Sequence, residues 1–310
     1  MPPAGAELVS SAVPVEDAAS SSGTRPVPPP PPGLPALAEV MGQVGDENFP
    51  VASRLLGRRV RASLSAIYGF ARFVDDVGDE SGGDRLALLD WIDGEVDRVC
   101  AGIEPGHPVT ARLAAAARES TIPAEPLHRL VEANRRDQLV HSYETFEDLL
   151  GYCALSANPV GEMVLHTFRA ATPDRVELSD AICSGLQVTE HLQDIREDIA
   201  RGRVYLPQED LERFSCEEAD LRLLPSPERI RTLVAFEVAR AQKLLDRGAP
   251  LARRLRGRPA LAIAAFVAGG RAALGAIERA GYAIAEAPPR PSWPVRLEAG
   301  VLTLRAALGG

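Results

Sequence analysis

The sequence IYGFARFVDDVGDE, residues 67–80, carries an apolar and aromatic run directly into three aspartates, Asp75, Asp76 and Asp79. On a helix, Asp75 and Asp79 are four residues apart and share a face, while Asp76 lies at the edge of that face. Like charges at this spacing repel each other, so a compensating cation is expected. Mg²⁺ fits because it prefers oxygen ligands and often uses one or two carboxylates plus substrate phosphate oxygens. A solvated acidic helix end is the alternative that this segment alone leaves open.

A second acidic segment, QVTEHLQDIRED at residues 187–198, repeats the pattern. Its residues Glu190, Asp194 and Asp198 fall at i, i+4 and i+8, which places one carboxylate per turn along one face of a helix. Two such faces, each within apolar helical sequence, predict two helices that face each other across a cavity. Mg²⁺ ions held between them would bind the diphosphate group of a substrate. Ion pairing with nearby arginines is the competing explanation.

Apolar residues recur with helical spacing along most of the chain, and the alternation typical of strands is scarce. One such stripe consists of Leu86, Leu89, Ile92, Val96 and Val99. Glycine and proline breaks divide the region into roughly eight to ten helices. The pattern predicts an all-α fold, with a single helical domain at residues 36–287.

Local signals predict three helix boundaries. Asn158 before Pro159 disfavours the α conformation and predicts a break or kink. Gly202 predicts the end of the helix that carries the second acidic segment. Ser179 and Asp180 are predicted to cap the start of that helix.

Both ends of the sequence differ in composition from the middle. Residues 1–35 are rich in Ala, Ser, Gly and Pro and end in a proline run, which predicts a disordered tail. Residues 288–310 form a C-terminal extension with several prolines at its start. Its last part, Val295–Leu308, is expected to form a short helix.

Bulk properties narrow the range of functions. The 310 residues are 45% hydrophobic, enough for one large core or two domains. The net charge of −9, without basic blocks, argues against nucleic acid as the main partner. The four cysteines lack zinc-binding spacing and indicate a reduced, cytosolic protein. No secretory signal or membrane-spanning run is visible, so a cytoplasmic location is expected, with peripheral membrane contact and oligomeric state left open.

Two residue pairs before the first acidic segment are candidates for substrate binding. Asn48 is expected to hydrogen-bond a phosphate and Phe49 to line an apolar pocket, although both also fit a plain helix start. Tyr68 and Arg72 lie about two turns and one turn before Asp75. Arg72 either pairs with Asp75 or contacts a phosphate bidentately, and the second role is favoured.

Arg203 and Tyr205 follow the second acidic segment. Arg203 is expected to bind phosphate and Tyr205 to face the cavity, with a plain structural turn as the alternative. The five histidines share no spacing and are assigned no role.

Together these segments resemble the squalene/phytoene synthase family, which comprises all-α isoprenoid synthases with two Asp-rich helices that bind Mg²⁺ and diphosphate. The resemblance covers about residues 47–282. Its most specific parts are ENFPVASRLL (47–56), AIYGFARFVDDVGDE (66–80), YCALSANPVGEMVLH (152–166) and LQDIREDIARGRVYLPQEDL (192–211). The resemblance implies an isoprenoid synthase-type helical bundle around a central cavity.

The resemblance also implies roles for individual residues. Asp75 and Asp79 match the first metal motif and Asp194 and Asp198 the second, so these four are candidate catalytic residues, together with Tyr205. Asp76 and Glu190 are added as candidate metal ligands. Four residues match family positions that line the diphosphate or the cavity: Arg72, Gln187, Arg203 and Tyr205.

Within the family, the sequence looks most like the bacterial hydroxysqualene synthases of hopanoid biosynthesis, and its departures from condensing members agree with this. Glu190 replaces the family's usual Asn. Asp46 and Asn48 stand where condensing members carry Ser near the first phosphate, and Ala154 stands where they are expected to carry Tyr.

The resemblance therefore implies Mg²⁺-dependent conversion of presqualene diphosphate into hydroxysqualene, without a reductant. A condensing synthase that joins two prenyl diphosphates is the nearest alternative. A non-catalytic lipid-binding or assembly protein with the same fold is the alternative from another class.

Overall fold

The computed structural model describes residues 29–42 and 56–284. Within these ranges the regular structure is helical, and the only pairing of extended chain is an isolated bridge between Ser142 and Val204. This confirms the predicted all-α fold. The helices are α1 (Leu37–Gly42), α2 (Arg58–Asp79), α3 (Arg85–Ala101), α4 (Pro108–Ser120), α5 (Ala124–Asp137), α6 (Phe146–Ser156), α7 (Asn158–Thr167), α8 (Pro173–Ala200), α9 (Gln208–Arg213), α10 (Glu228–Gly248), α11 (Leu251–Arg254) and α12 (Arg258–Arg279).

These twelve helices within the described ranges exceed the roughly eight to ten expected from glycine and proline breaks. The additional elements are short: α1, α9 and α11 have 6, 6 and 4 residues. A 3₁₀ turn at Glu218–Arg222 lies between α9 and α10. Segments of this length carry too few apolar positions to show a helical period in the sequence.

The hydrophobic core has two adjoining parts. One is formed mainly by α2 to α5, around fully buried Phe70, Phe73 and Leu89. The other is formed mainly by α8, α10 and α12, around buried Leu245 and Val267. Each fully buried side chain of this size contributes about 1.5–3 kcal/mol through removal of apolar surface from water. The two Asp-rich segments lie on α2 and α8, one in each part of the core.

A close approach of α8 and α10 depends on glycine. A Cβ atom at Gly248 would lie 2.4 Å from Cγ1 of Ile182 and 2.6 Å from the carbonyl oxygen of Leu178. Because a backbone oxygen cannot move aside without displacing its helix, only glycine fits there. This contact fixes the long helix that carries the second acidic segment.

Two of the three predicted helix boundaries are confirmed and one is wrong. The chain breaks at Ala157, between α6 and α7, and α8 ends before Gly202, whose φ is +79°. The predicted cap at Ser179 and Asp180 is wrong, because α8 already begins at Pro173 with Thr172 as its N-cap. The proline that indicated a break occupies the first helical turn, where its missing N–H costs nothing.

The N-terminal domain boundary at residue 36 stays a prediction, although contacts begin before it. The Ser81 hydroxyl donates to the carbonyl oxygen of Gly33 at 3.0 Å, and Leu34 packs against the first part of the core. Asn48, Phe49 and the C-terminal extension at 288–310 lie outside the described residues.

Helix α12 is long and apolar enough to cross a membrane by length and composition. Its most apolar window has a mean hydropathy of 1.8, but 56% of that window is buried. Val267 and Ile277 of this helix are part of the buried core. The cytoplasmic location and peripheral membrane contact stay predictions.

Candidate active site

Asp75 lies in the C-terminal half of α2, and its side chain keeps contact with solvent. Neighbouring protein atoms nevertheless displace part of the water around the carboxylate, and this desolvation raises its pKa to about 6. The Asn134 amide on α5 donates to Asp75 Oδ1 at 2.9 Å. Gly78 makes room for that amide, since a Cβ there would lie 2.3 Å from Asn134 Oδ1.

Asp79, one turn further along α2, is paired with two arginines that follow α8. Arg203 Nη2 lies 2.7 Å from Asp79 Oδ1, and Arg201 Nη1 lies 3.7 Å from Asp79 Oδ2. The side chains of Asp79 and Arg203 are 27% and 13% exposed, so this pair is largely desolvated. It ties the end of the first acidic helix to the segment after the second.

Asp76 differs from its two neighbours. It is 6% exposed and forms an ion pair with Arg72, whose Nε lies 2.8 Å from Asp76 Oδ1. Arg72 therefore pairs with Asp76 at i+4. The pairing with Asp75 at i+3, which the sequence analysis gave as the less favoured alternative, is not formed in the described structure. Tyr68 is half-buried on the same helix, close enough to influence the Arg72 guanidinium. The roles of Asp76 in metal binding and of Arg72 and Tyr68 in substrate binding stay predictions.

The second acidic segment lies on the C-terminal half of α8. Burial and the like charges of Asp198 and Glu197 raise the pKa of Asp194 to about 6. Asp198 lies near His191, with 3.8 Å between Asp198 Oδ2 and the ring Nδ1. Glu190, one turn before Asp194, is exposed.

One further carboxylate, which the sequence analysis missed, is that of Asp137 at the end of α5. The Tyr152 hydroxyl donates to Asp137 Oδ2 at 2.7 Å. Burial raises the pKa of Asp137, while the Tyr152 hydrogen bond and the charge of Arg203 lower it. Like-charge repulsion from Asp79 and attraction to His191 also act on it, so Asp137 is electrostatically coupled to residues near both motifs.

An aromatic wall, formed by Tyr143, Tyr152, His191 and Tyr205, stands beside these carboxylates. The His191 and Tyr205 rings are stacked with centroids 3.7 Å apart and an angle of 11° between their planes. Tyr152 and Tyr143 lie 5.7 and 6.0 Å from the Tyr205 ring. Burial raises the pKa of Tyr152 and Tyr205 far above its ordinary value, so both hydroxyls stay protonated at neutral pH.

Gln187 belongs to the same region through His191. The Gln187 amide nitrogen lies 3.2 Å from His191 Nε2. An amide nitrogen only donates, so Nε2 accepts and the ring proton of neutral His191 resides on Nδ1, the atom nearest Asp198. No role was assigned to His191 from the sequence alone. Its place in the sequence gives no indication that its ring stacks on that of Tyr205.

The chemistry of these donors suits Mg²⁺. Among the described residues, no three His, Cys, Asp or Glu side chains converge as a complete metal site. Mg²⁺ commonly uses only one or two carboxylates and completes its coordination with water and substrate phosphate oxygens. Asp198 Oδ2 has no hydrogen-bond partner, and the raised pKa of Asp75 and Asp194 indicates that negative charge there is incompletely compensated.

Known proteins are similar to this chain over the region that contains helices α2 to α12. The family model described as squalene/phytoene synthase matches residues 43–297. A hydroxysqualene synthase of Rhodopseudomonas palustris is 34% identical over 215 residues, which are 68% of this chain and 72% of that protein. A phytoene synthase of Mycobacterium tuberculosis is 30% identical over 235 residues, 74% of this chain and 77% of that protein.

A solved structure supports both fold and sequence likeness. The crystal structure of squalene synthase HpnC from Alicyclobacillus acidocaldarius has a TM-score of 0.73 and 43% identity, and the alignment covers 78% of this chain and 92% of that chain. The proteins similar to this chain are thus named for three different products, hydroxysqualene, phytoene and squalene.

Proposed function

Because this chain belongs to the squalene/phytoene synthase family, we propose that it converts presqualene diphosphate into hydroxysqualene and releases diphosphate in a Mg²⁺-dependent reaction. The likeness to hydroxysqualene synthases of Rhodopseudomonas palustris and Zymomonas mobilis, each 34% identical, supports this choice within the family. The sequence departures at Glu190 and Ala154 support it too.

The observation that carries the proposal is the connection of the two acidic helices through Arg203 and Asp137. Arg203 pairs with Asp79 on α2, and Asp137 is coupled to Asp79 and to His191 of α8. A substrate diphosphate that entered here would meet carboxylates on two sides and a cation between them. This arrangement suits a polyanion bound through divalent cations better than a neutral ligand.

Asp75 and Asp79 on α2 and Asp194 and Asp198 on α8 are the proposed Mg²⁺ ligands, with Glu190 as a further one. When bound, Mg²⁺ supplies charge neutralisation for the departing diphosphate. Arg203 and Arg72 are proposed to donate hydrogen bonds to the diphosphate oxygens as negative charge develops on them. Arg203 would be free to do so if a metal ion took its place beside Asp79.

The aromatic wall supports the second half of the reaction. Ring faces of Tyr152 and Tyr205 stabilise a nearby carbocation electrostatically without forming a bond to it. The raised pKa keeps both phenols neutral, which matters because a phenolate would be a competing nucleophile toward the cation. Tyr152 is further restrained by its hydrogen bond to Asp137.

A condensing activity is the second candidate. It is favoured by the likeness to phytoene synthase of Mycobacterium tuberculosis, which covers a larger share of this chain than the hydroxysqualene synthases do. A condensing enzyme would use the same acidic helices, so substrate tests must separate the two.

The test is a product assay with purified protein, Mg²⁺ and either presqualene diphosphate or farnesyl diphosphate, followed by mass spectrometry. We expect hydroxysqualene from the first substrate and no product from the second. An Asp194→Asn variant of the same preparation serves as the control and is expected to lose most turnover while keeping the helical circular dichroism spectrum.

Two outcomes would contradict the proposal. Presqualene diphosphate formed from farnesyl diphosphate would identify a condensing synthase. The absence of turnover and of Mg²⁺-dependent diphosphate binding would favour the non-catalytic alternative.

A further inference from the structure

A small cavity lies beside the candidate active site, between α8 and α10. Its walls are mostly apolar, with Val188 and Leu221 among them, and two polar regions face it. One is Glu237 of α10, and the other contains four residues of the candidate active site: His191, Asp198, Arg203 and Tyr205. We call this space the water cavity, because it has room for about one water molecule.

Glu237 is a deeply buried carboxyl group on the wall of this cavity. It is 1% exposed, and its Oε1 lies 3.1 Å from Nη1 of Arg240. Within the described part of the chain its Oε2 receives no bond from an N–H or hydroxyl donor, although the Glu237 carboxyl hydrogen-bonds to the neighbouring carboxyl of Asp210. A carboxyl group has acceptor capacity left after one such bond, so a buried carboxyl on a cavity wall is expected to hold an ordered water there.

The surroundings of Glu237 keep it from carrying a full additional negative charge. Arg240 also pairs with the buried carboxylate of Asp210. Burial raises the pKa of Glu237 to about 8, and the charge and hydrogen bond of Asp210 act in the same direction, so the Glu237 carboxyl holds its proton at neutral pH while Arg240 pairs with Asp210. Such a group accepts a hydrogen bond from a water molecule without attracting a metal cation.

Residues of the candidate active site also line the water cavity. Asp198 Oδ2 receives no hydrogen bond from the described part of the chain. Tyr205 belongs both to the cavity lining and to the aromatic wall. A water held by Glu237 therefore shares its cavity with the Tyr205 ring, which is proposed to stabilise the carbocation.

We propose that the water cavity holds the water molecule that captures the carbocation, and that Glu237 is its anchor. This inference rests on the proposed function. In the substrate, the carbon–oxygen bond to diphosphate breaks and both electrons leave with the diphosphate. The carbocation rearranges and its cyclopropane ring opens, as the electrons of a ring carbon–carbon bond form a carbon–carbon double bond. A lone pair of the water oxygen forms the new carbon–oxygen bond, and the released proton passes to the departed diphosphate. The products are hydroxysqualene and hydrogen diphosphate, with no oxidant or reductant required.

Glu237→Leu tests the anchor against its matched variant Glu237→Gln. Leucine removes the acceptor, while the Gln amide keeps an oxygen at the same place. With presqualene diphosphate and Mg²⁺, we expect E237L to lower the ratio of alcohol to hydrocarbon products about ten-fold, as expected when one hydrogen bond is lost. The hydrocarbons arise because an uncaptured cation loses a proton instead. E237Q is expected to keep the alcohol as the main product.

A second variant tests the cavity without touching the carboxyl group. Val188→Leu adds one methylene to the cavity wall, which displaces a water-sized volume, and it is expected to lower the alcohol ratio as E237L does. Val234→Leu makes the same change at a buried α10 position that does not line the cavity, and it is expected to keep the parent ratio. Thermal melts establish that each variant is folded.

The outcomes separate this inference from the proposed function. If the parent protein forms no hydroxysqualene, the proposed function fails first. If the parent forms it and both V188L and any folded E237L keep the alcohol ratio, the water cavity is not the source of the nucleophile. The assignment is supported if the alcohol ratio falls in E237L but not in E237Q. It also requires that the ratio falls in V188L and stays at the parent value in V234L.

Discussion

Loss of the Arg203 guanidinium should destabilise the metal-free protein, and Mg²⁺ with inorganic diphosphate should restore much of the loss. Arg203→Met keeps the apolar stem but leaves Asp79 with only Arg201, whose contact is longer and whose side chain is 48% exposed. Removing one member of a buried ion pair costs about 3–5 kcal/mol. Because Asp79 is 27% exposed and retains Arg201, we expect about 2–3 kcal/mol here.

The assay is thermal unfolding followed by circular dichroism. For a chain of this size, each kcal/mol shifts the midpoint by about 2–4 °C, so R203M should melt about 4–12 °C below the parent. Cations bound at the acidic cluster would replace the missing guanidinium. The midpoint of R203M should therefore rise more than that of the parent when Mg²⁺ and inorganic diphosphate are added.

A double-mutant cycle with Asp79→Asn isolates the pair. In the double variant neither charge remains, so its destabilisation should be smaller than the sum of the two single variants by about 2 kcal/mol. Arg201→Met is the matched control and should cost less than about 1 kcal/mol because its contact is exposed. Additivity within about 0.5 kcal/mol would refute the argument that Arg203 holds the two acidic regions together.

Three further predictions concern charge and packing. Burial raises the pKa of Asp180 to about 6. Between pH 4 and 6 the native state therefore keeps a proton that the unfolded state has released, so the free energy of unfolding falls as the pH rises through this range. Asp180→Asn should abolish that fall and be about 1 kcal/mol more stable than the parent at pH 8, measured by urea unfolding at both pH values. Mg²⁺ binding should release about one proton at pH 6 and almost none at pH 8, because Asp75 and Asp194 are each about half protonated at pH 6. Titration calorimetry in two buffers of different ionisation enthalpy measures the number of protons released. Gly248→Ala should cost about 2–3 kcal/mol, because its Cβ would lie 2.6 Å from a backbone oxygen of α8. Gly185→Ala, whose Cβ would meet Leu245 at 3.0 Å and the Ala241 carbonyl oxygen at 3.2 Å, should cost less in the same denaturant titration.

Features encoded within a single helix could be predicted from the sequence. The break beside Asn158 and the end of α8 before Gly202 follow from local backbone preferences and are confirmed. The spacing of the acidic residues predicted which carboxylates share a turn of α2 and of α8. The start of α8 was missed because a Thr-Pro-Asp sequence serves as a chain break and as a helix start equally well.

Features that depend on contacts between helices could not be predicted. Asp137 becomes part of the site only because α5 brings it against Tyr152 of α6 and near Arg203. Nothing local distinguishes it from a solvated acid at a helix end. A signal was present nonetheless, since Asn134 is a polar residue on the apolar stripe of α5, and its amide contacts Asp75 across the helix interface.

The structure also bears on the two explanations of the acidic segments, metal binding and pairing with arginine. Both apply, but to different carboxylates. Within the described residues, Asp76 and Asp79 have arginine partners within 4 Å, whereas Asp75 and Asp194 have none and keep a pKa of about 6.

Pairing with arginine therefore accounts for only part of the negative charge. Asp75 on α2 and Asp194 on α8, which lack an arginine partner within the described residues, are carboxylates for which binding a divalent cation brings a large electrostatic gain. Arg203, which reaches Asp79 from outside both helices, pairs with that carboxylate in this structure and would be released if metal and diphosphate bound as proposed. The arginine pairs are thus expected to hold the site open for the substrate instead of competing with the metal.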